Sequence, residues 1–225
     1  MQNLLLERIP NLTKENCDKF VAYHRLLTEW NQKMNLTAIT EPEAVVNKHF
    51  HDSLAALPHL ENGAAVVDMG TGAGFPGVPL LIMNPTLRVT LADSVQKKLT
   101  FLEALCAELG LQAELVHMRA EDMGRAPKYR EKFDAALTRA VAPLPVLLEL
   151  TMPLVRLGGK CICYKGETYA ELPLAARAAE ILGGTLSEVS VSCDYGVRNL
   201  VVCTKNAPCP SAYPRKAGTP AKKPL

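Results

Sequence analysis

A chain of 225 residues with 48% hydrophobic side chains suits one globular domain with at most an appendage, and excludes collagen-like, coiled-coil and disordered classes. The 25 Lys+Arg and 23 Asp+Glu give a formal charge of +2, but the balance is uneven. Lys205, Arg215, Lys216, Lys222 and Lys223 close the chain with no acid among them, leaving 20 bases against 23 acids in the rest.

An N-terminal apolar run of only three residues is too short for a signal peptide. The apolar stretch 140–155 is broken by Pro143, Pro145, Glu149 and Pro153, which excludes a membrane span. A cytoplasmic location is therefore expected. Seven cysteines without a C-x-x-C pair predict neither a disulfide framework nor a metal site. Cys161 and Cys163 alternate in an apolar run and read as core thiols on one strand face.

The first sixty residues read as helices. Phe20, Tyr23, Leu26, Leu27 and Trp30 keep helical spacing, and a second run over 43–57 repeats it after Pro42. At Gly63 the rhythm changes: residues 64–68 form a short apolar strand leading into the glycine-rich segment 69–77, followed by a helix over 78–83 and a strand over 87–92. Ser94 is placed to cap the next helix, whose apolar positions Val95, Leu99, Leu102, Cys106 and Leu109 run until Gly110. Further strands are predicted at 113–117, 133–138 and 159–164. Segments 186–193 and 197–204 form an antiparallel pair turning at Asp194-Tyr195-Gly196.

Apolar strands alternating with helices predict an α/β fold, a doubly wound and mostly parallel seven-stranded sheet covered on both faces and ending in an antiparallel hairpin strand. That ending suits the fold of S-adenosylmethionine-dependent methyltransferases better than that of dinucleotide dehydrogenases. Residues 1–62 are expected as a helical extension packed on the core, 63–205 as the cofactor-binding core, and 206–225 as a basic tail. Five prolines after residue 206 preclude a further regular element there.

A glycine-rich turn between a parallel strand and a helix lets a ligand approach the backbone at the helix N-terminus. Gly72-x-Gly74-x-x-Gly77 matches the dinucleotide fingerprint, and Asp93 lies 21 residues beyond Gly72, where an acid would bind a ribose. Asp68, two positions before Gly70, discriminates: a carboxylate there repels a pyrophosphate but suits a ligand carrying an ammonium and a sulfonium. Attraction at about 4 Å is worth roughly 1 kcal/mol in water and several times more in a partly dry cleft. S-adenosylmethionine is thus favoured over NAD. Asp93 would accept the ribose hydroxyls, Ala120-Glu121-Asp122 would hold the adenine edge, and Arg139 would stand beside the reactive methyl. The simpler alternatives make Asp93 a solvated turn residue and pair Arg139 with Glu121 or Asp122.

Trp30-Asn31-x-x-x-Asn35-Leu36-Thr37, His49-x-x-Asp52-Ser53-Leu54 and Asp68-Met69-Gly70-Thr71-Gly72-Ala73-Gly74-Phe75-Pro76-Gly77 recur in a known family. So do Asp93-Ser94-x-x-Lys97-Lys98-x-x-Phe101-Leu102, Phe133-Asp134-x-x-x-x-Arg139-Ala140, Lys165-Gly166 and Tyr213-Pro214-Arg215-Lys216-x-Gly218-Thr219-Pro220. On these motifs the chain resembles the bacterial 16S ribosomal RNA guanine-N7 methyltransferase G family, also called glucose-inhibited division protein B. The resemblance implies cofactor contacts at Gly70, Phe75, Ala120, Glu121 and Arg139.

Guanine N7 bears a lone pair and no proton, so its methylation needs alignment rather than a general base. The chain accordingly has no Asp/Asn-Pro-Pro-aromatic motif, and its one Pro-Cys pair, Pro208-Cys209, lies in the tail. Arg139 is the residue expected beside the base, as the catalytic group. With only 5% aromatics, a base-stacking platform is not expected. RNA contact is assigned to the tail, at Arg215, Lys216, Lys222 and Lys223, with Lys97, Lys98, Arg119 and the bases between 125 and 132 as further candidates. The expected partner is 16S rRNA or small-subunit particles, bound by a monomer, without DNA or a membrane. A methyltransferase of the same fold acting on a small molecule or protein, and an NAD-dependent oxidoreductase or a regulator, are the competing readings.

Overall fold

In the computed structural model, which describes residues 1–139, 142–193 and 195–225, the chain opens with helices α1 (Gln2–Arg8) and α2 (Lys14–Met34). Thr13 caps α2 by accepting from Asn16 N at 3.1 Å, and Asn35 ends it in the left-handed region at φ 48°. Phe20, Tyr23 and Leu27 are buried, so the helical spacing reports the inward face. The second helical run is not continuous. Helix α3 (Pro42–Val45) passes into a π-helical turn (Val46–His51) and then a 3₁₀ segment (Leu54–His59) containing Pro58.

The core alternates β1 (Ala65–Met69), α4 (Gly77–Met83), β2 (Arg88–Asp93), α5 (Gln96–Leu109), β3 (Ala113–His117), α6 (Ala120–Met123), β4 (Phe133–Thr138), α7 (Leu144–Thr151), β5 (Val155–Lys165), α8 (Leu172–Ile181), β6 (Gly184–Val191) and β7 (Arg198–Lys205). The strands form one seven-stranded sheet in the order β3-β2-β1-β4-β5-β7-β6. Strands β1 to β5 are parallel, and β7 enters antiparallel between β5 and β6. The expected class and topology hold. Of the turn expected between β6 and β7, Asp194 lies outside the described residues, as do Ala140 and Val141.

Adjacent residues on each strand face opposite ways, and the core divides accordingly. Val66, Leu91, Leu137, Ile162 and Val202 pack against the N-terminal helices, α4 and α5. Val67, Ala92, Ala136, Cys161, Cys163, Val201 and Cys203 pack against α7 and α8. Cys161 and Cys163 are buried thiols 3.7 Å apart on one face, as expected. Two tyrosines stitch the extension to the core: Tyr23 Oη donates to Ala73 O at 2.5 Å, and Tyr164 Oη on β5 donates to Ser53 O at 2.6 Å.

The tail departs from expectation. A short helix α9 (Thr219–Lys222) follows Gly218, because Pro220 falls in the first turn, where its missing N–H costs nothing. Lys205 is fully buried and donates to Glu131, Met152 O and Val155 O.

Candidate active site

The strand order reverses between β1 and β4, the place where open α/β sheets bind ligands beyond their strand ends. Two clefts open there. The first, about 310 Å³, is lined by Gly70 after β1, Asp93 at the end of β2, Ala120 and Glu121 of α6, Thr138 at the end of β4, and Leu147, Leu150 and Thr151 of α7. The second, about 350 Å³, is lined by Lys48, His49 and Asp52 of the extension with Arg139, Tyr164, Lys165 and Arg198. Thr138 and Arg139 are consecutive, so the clefts adjoin at the end of β4.

The glycine loop is built over Asp68, which is fully buried and does not line the first cleft. Its Oδ2 accepts from Thr71 Oγ1 at 2.7 Å and Gly77 N at 2.8 Å. Its Oδ1 is buried without a hydrogen-bond partner. Burial pushes its pKa up to about 6, against the lowering effect of those two bonds and of Arg139. Gly77 is required here, because a Cβ would lie 2.5 Å from Leu91 Cδ2 and 2.9 Å from Asp68 Oδ2. At Gly74 the φ of +98° and the Tyr23 hydroxyl, 2.7 Å from a built Cβ, likewise exclude a side chain.

Asp93 is buried rather than solvated. Its Oδ2 accepts from Gly72 N at 3.0 Å and Lys98 Nζ at 3.2 Å, and its Oδ1 from Val95 N at 2.9 Å. It also takes the place expected for Ser94: helix α5 has Val95 at its N-cap position, and the Val95 N–H is satisfied by Asp93. Of the predicted cofactor residues, Gly70, Asp93, Ala120 and Glu121 therefore share the first cleft. Asp68, Gly72 and Phe75 lie outside its lining: Asp68 and Gly72 are bonded within the loop, and Phe75 stacks with His49 beside Arg139.

Arg139 lines the second cleft and pairs with neither Glu121 nor Asp122. Its Nη1 donates to Asp52 Oδ2 at 3.0 Å and Lys48 O at 3.1 Å, and its guanidinium lies 5.1 Å from the Phe75 ring centroid. Asp52 Oδ1 accepts from Arg198 Nε at 2.9 Å, so one buried carboxylate holds two guanidinium groups. His49 stacks on Phe75 with centroids 4.4 Å apart. Burial, then the Arg139 charge, hold its pKa to about 3. The ring is therefore neutral, with Nδ1 accepting from Arg139 Nη2 at 3.2 Å and Nε2 donating to Thr37 Oγ1 at 2.8 Å. Asn31 fixes Thr37 through both its N–H and its carbonyl.

The tail folds onto the first cleft. Arg215 forms a fork on the fully buried Glu149 carboxylate, with Nε to Oε1 at 2.8 Å and Nη2 to Oε2 at 2.5 Å. Gly218 N donates to Glu121 Oε1 at 3.0 Å. Arg215, expected on RNA, is thus committed inside the molecule, because a buried carboxylate requires a partner. Lys216, Lys222 and Lys223 remain exposed. Asn31, Thr37, His49 and Asp52 stood in the family motifs without an assigned role. Lys48 and Arg198 carried no sequence signal, neither standing in a motif or a basic cluster.

The parallel sheet, its reversed antiparallel end and the glycine-loop cleft define a class I S-adenosylmethionine-dependent methyltransferase fold. Solved structures agree on that fold: a methyltransferase from Pyrococcus furiosus superposes with a TM-score of 0.58 at 15% identity, covering 84% of this chain and 99% of that one. A SAM-dependent O-methyltransferase from Thermotoga maritima gives 0.53 at 15% identity, covering 80% and 71%. The chain belongs to the GidB family, rRNA small subunit methyltransferase G, which matches residues 16–201. Among its relatives is the ribosomal RNA small subunit methyltransferase G of Alkaliphilus oremlandii, 47% identical over 95% of this chain and 92% of the relative. That of Acetivibrio thermocellus is 46% identical over 96% and 91%.

Proposed function

We infer that this chain transfers a methyl group from S-adenosylmethionine to N7 of a guanine in 16S rRNA, with the cofactor in the first cleft and the guanine in the second. The observation that carries this reading is the meeting, at Thr138 and Arg139, of a partly apolar cleft that presents Asp93 and Glu121 beside Lys98 and Arg119 with a cationic one. The residues fit the cofactor. Asp93 retains acceptor capacity on Oδ1 for a ribose hydroxyl, Leu147 and Leu150 supply an apolar wall for an adenine, and the unpartnered Asp68 Oδ1 beneath the loop suits a nearby cation. When bound, the cofactor supplies an electrophilic methyl on a sulfonium.

This chain's own contribution is orientation. N7 has no proton to lose, and among the described residues the second cleft offers no free base: Asp52 is ion-paired with both Arg139 and Arg198, and neutral His49 is engaged at both nitrogens. Arg139 is held by four neighbours at the junction, where a guanidinium can meet guanine O6 or a phosphate and leave N7 free. Residues 1–62 supply one wall of the guanine cleft, 63–205 supply its other wall and hold the cofactor, and 206–225 brace the cofactor cleft. Lys216, Lys222 and Lys223 join Lys48 and Arg198 as the surface for RNA, while Lys165 is held by Glu171.

The reading entails a cytoplasmic monomer acting on 16S rRNA or small-subunit particles. Labelled cofactor incubated with the protein and such particles should place label on N7 of a guanine, while NAD should not compete. Label absent from RNA at every assembly stage, or displacement of the cofactor by NAD, would contradict it.

A further inference from the structure

The segment 213–220 is the motif that the two clefts leave unexplained. It crosses the outside of the first cleft and contacts two of its walls. On α7, Arg215 grips Glu149, the single charge on a helix that is otherwise apolar apart from Thr151. Leu147, Leu150 and Thr151 of the same helix line the cleft. On α6, the Gly218 N–H engages Glu121, itself a lining residue. Around α6, Arg125 Nε donates to Pro214 O at 2.8 Å and Arg130 Nη1 to Tyr213 O at 2.7 Å. Pro214 packs so closely on Gly124 that a Cβ there would stand 2.9 Å from Pro214 Cγ.

Helix α6 needs this support. It is one turn of four residues with no side-chain cap, and isolated helices of that length are not stable. Glu149 needs it as well, since a fully buried carboxylate without its partner is strongly destabilising. Among the described residues Arg215 alone bonds the two Glu149 oxygens, and it also donates to Lys223 O at 2.7 Å, which ties the segment to the end of α9.

We propose that residues 213–220 act as a strap for the cofactor site, with Arg215 and Gly218 as positioning residues that hold α7 and Glu121 in the geometry that binds S-adenosylmethionine. The strap faces two ways. Its inner side braces the cofactor cleft, while Lys216, Lys222 and Lys223 face outward. The proposal rests on the first cleft being the cofactor site.

The test compares the full chain, a chain ending at Lys216, and the triple variant Lys216→Ala, Lys222→Ala, Lys223→Ala. Each is titrated with S-adenosylhomocysteine by calorimetry and assayed for methyl transfer to small-subunit particles. The chain ending at Lys216 keeps Arg215 and Glu149 but loses the Gly218 contact and α9. Its S-adenosylhomocysteine Kd and cofactor KM should rise about five- to tenfold, the scale of one lost hydrogen bond with its ordering, while kcat at saturating cofactor stays within about twofold of the triple variant, which also lacks the Lys222 and Lys223 charges. A merely structural loss would lower the active fraction and kcat without moving KM. The triple variant should keep the parental Kd.

Unchanged cofactor Kd in the shortened chain, or an equal loss in the triple variant, overturns the strap. Failure of the full chain to bind S-adenosylhomocysteine would instead overturn the assignment of the cleft. If the shortened chain does not fold, Arg215→Lys decides: it keeps a charge against Glu149 but loses the fork, so cofactor KM should rise with kcat retained, and an unchanged KM overturns the proposal.

Discussion

Asp68 is buried and His49 half-buried, and burial shifts their pKa values in opposite directions, each toward the neutral form. Asp68 is raised from 3.8 to about 6 by burial. A carboxyl with a raised folded pKa binds its proton more tightly in the native state, so its contribution to stability is fully present below about pH 4. That contribution is lost as pH rises through about 6. Two pKa units correspond to about 3 kcal/mol. Urea unfolding of the parent and of Asp68→Asn should therefore differ by a gap that shifts by about 3 kcal/mol between pH 4 and pH 7, against the parent at the higher pH. A gap independent of pH would contradict the buried carboxylate. His49, by contrast, stays neutral and serves as an acceptor for Arg139. His49→Phe retains the stack on Phe75 but removes that acceptor. Its kcat should fall about tenfold, on the scale of a hydrogen bond to a charged group, with cofactor KM unchanged, as steady-state methyl transfer would report.

Local signals were legible where they were complete. Helix α5 keeps its apolar spacing and ends in Gly110 at φ +63°, as read from the chain, but its start was not legible, because Asp93 rather than Ser94 satisfies the Val95 N–H. The run 43–57 has helical spacing but folds as α3, a π turn and a 3₁₀ segment, and side chains take carbonyls of this run, the Arg139 guanidinium from far along the chain and the Ser53 hydroxyl from within it. Arg139 takes Lys48 O and approaches His49 O, and Ser53 Oγ also bonds His49 O. The π turn brings His49 and Asp52 together onto one guanidinium, a use that fits the tendency of such turns to occur at functional sites. Helix α6 and the tail were illegible for the same reason, each being ordered by the other. The loop itself was legible through its glycines, and it permits a sharp prediction. Gly77→Ala forces a methyl against Leu91 and Asp68, which should cost about 1–3 kcal/mol of unfolding free energy, measured by urea denaturation.

For the whole molecule, the near-neutral charge balance resolves differently in space than along the chain. Two of the five C-terminal bases, Lys205 and Arg215, are spent on Glu131 and Glu149. The second cleft instead collects Lys48, Arg139, Lys165 and Arg198 from four separate elements. RNA affinity should fall steeply with salt, while S-adenosylhomocysteine affinity should change little. Lys48→Ala should reduce the salt slope by about one phosphate contact, as fluorescence anisotropy across 50–200 mM salt would detect; an unchanged slope would remove Lys48 from the RNA surface. The sequence by itself determined the strands, the glycine loop and the family, because hydrophobic period and backbone permissiveness are properties of neighbouring residues. Only the tertiary structure decided what Arg139 holds and where the tail goes. Asp52 is 87 residues from Arg139 and 146 from Arg198, and Glu149 is 66 from Arg215. Which charges meet across such separations is set by which strand ends and helices converge, and no cation's own neighbours record that.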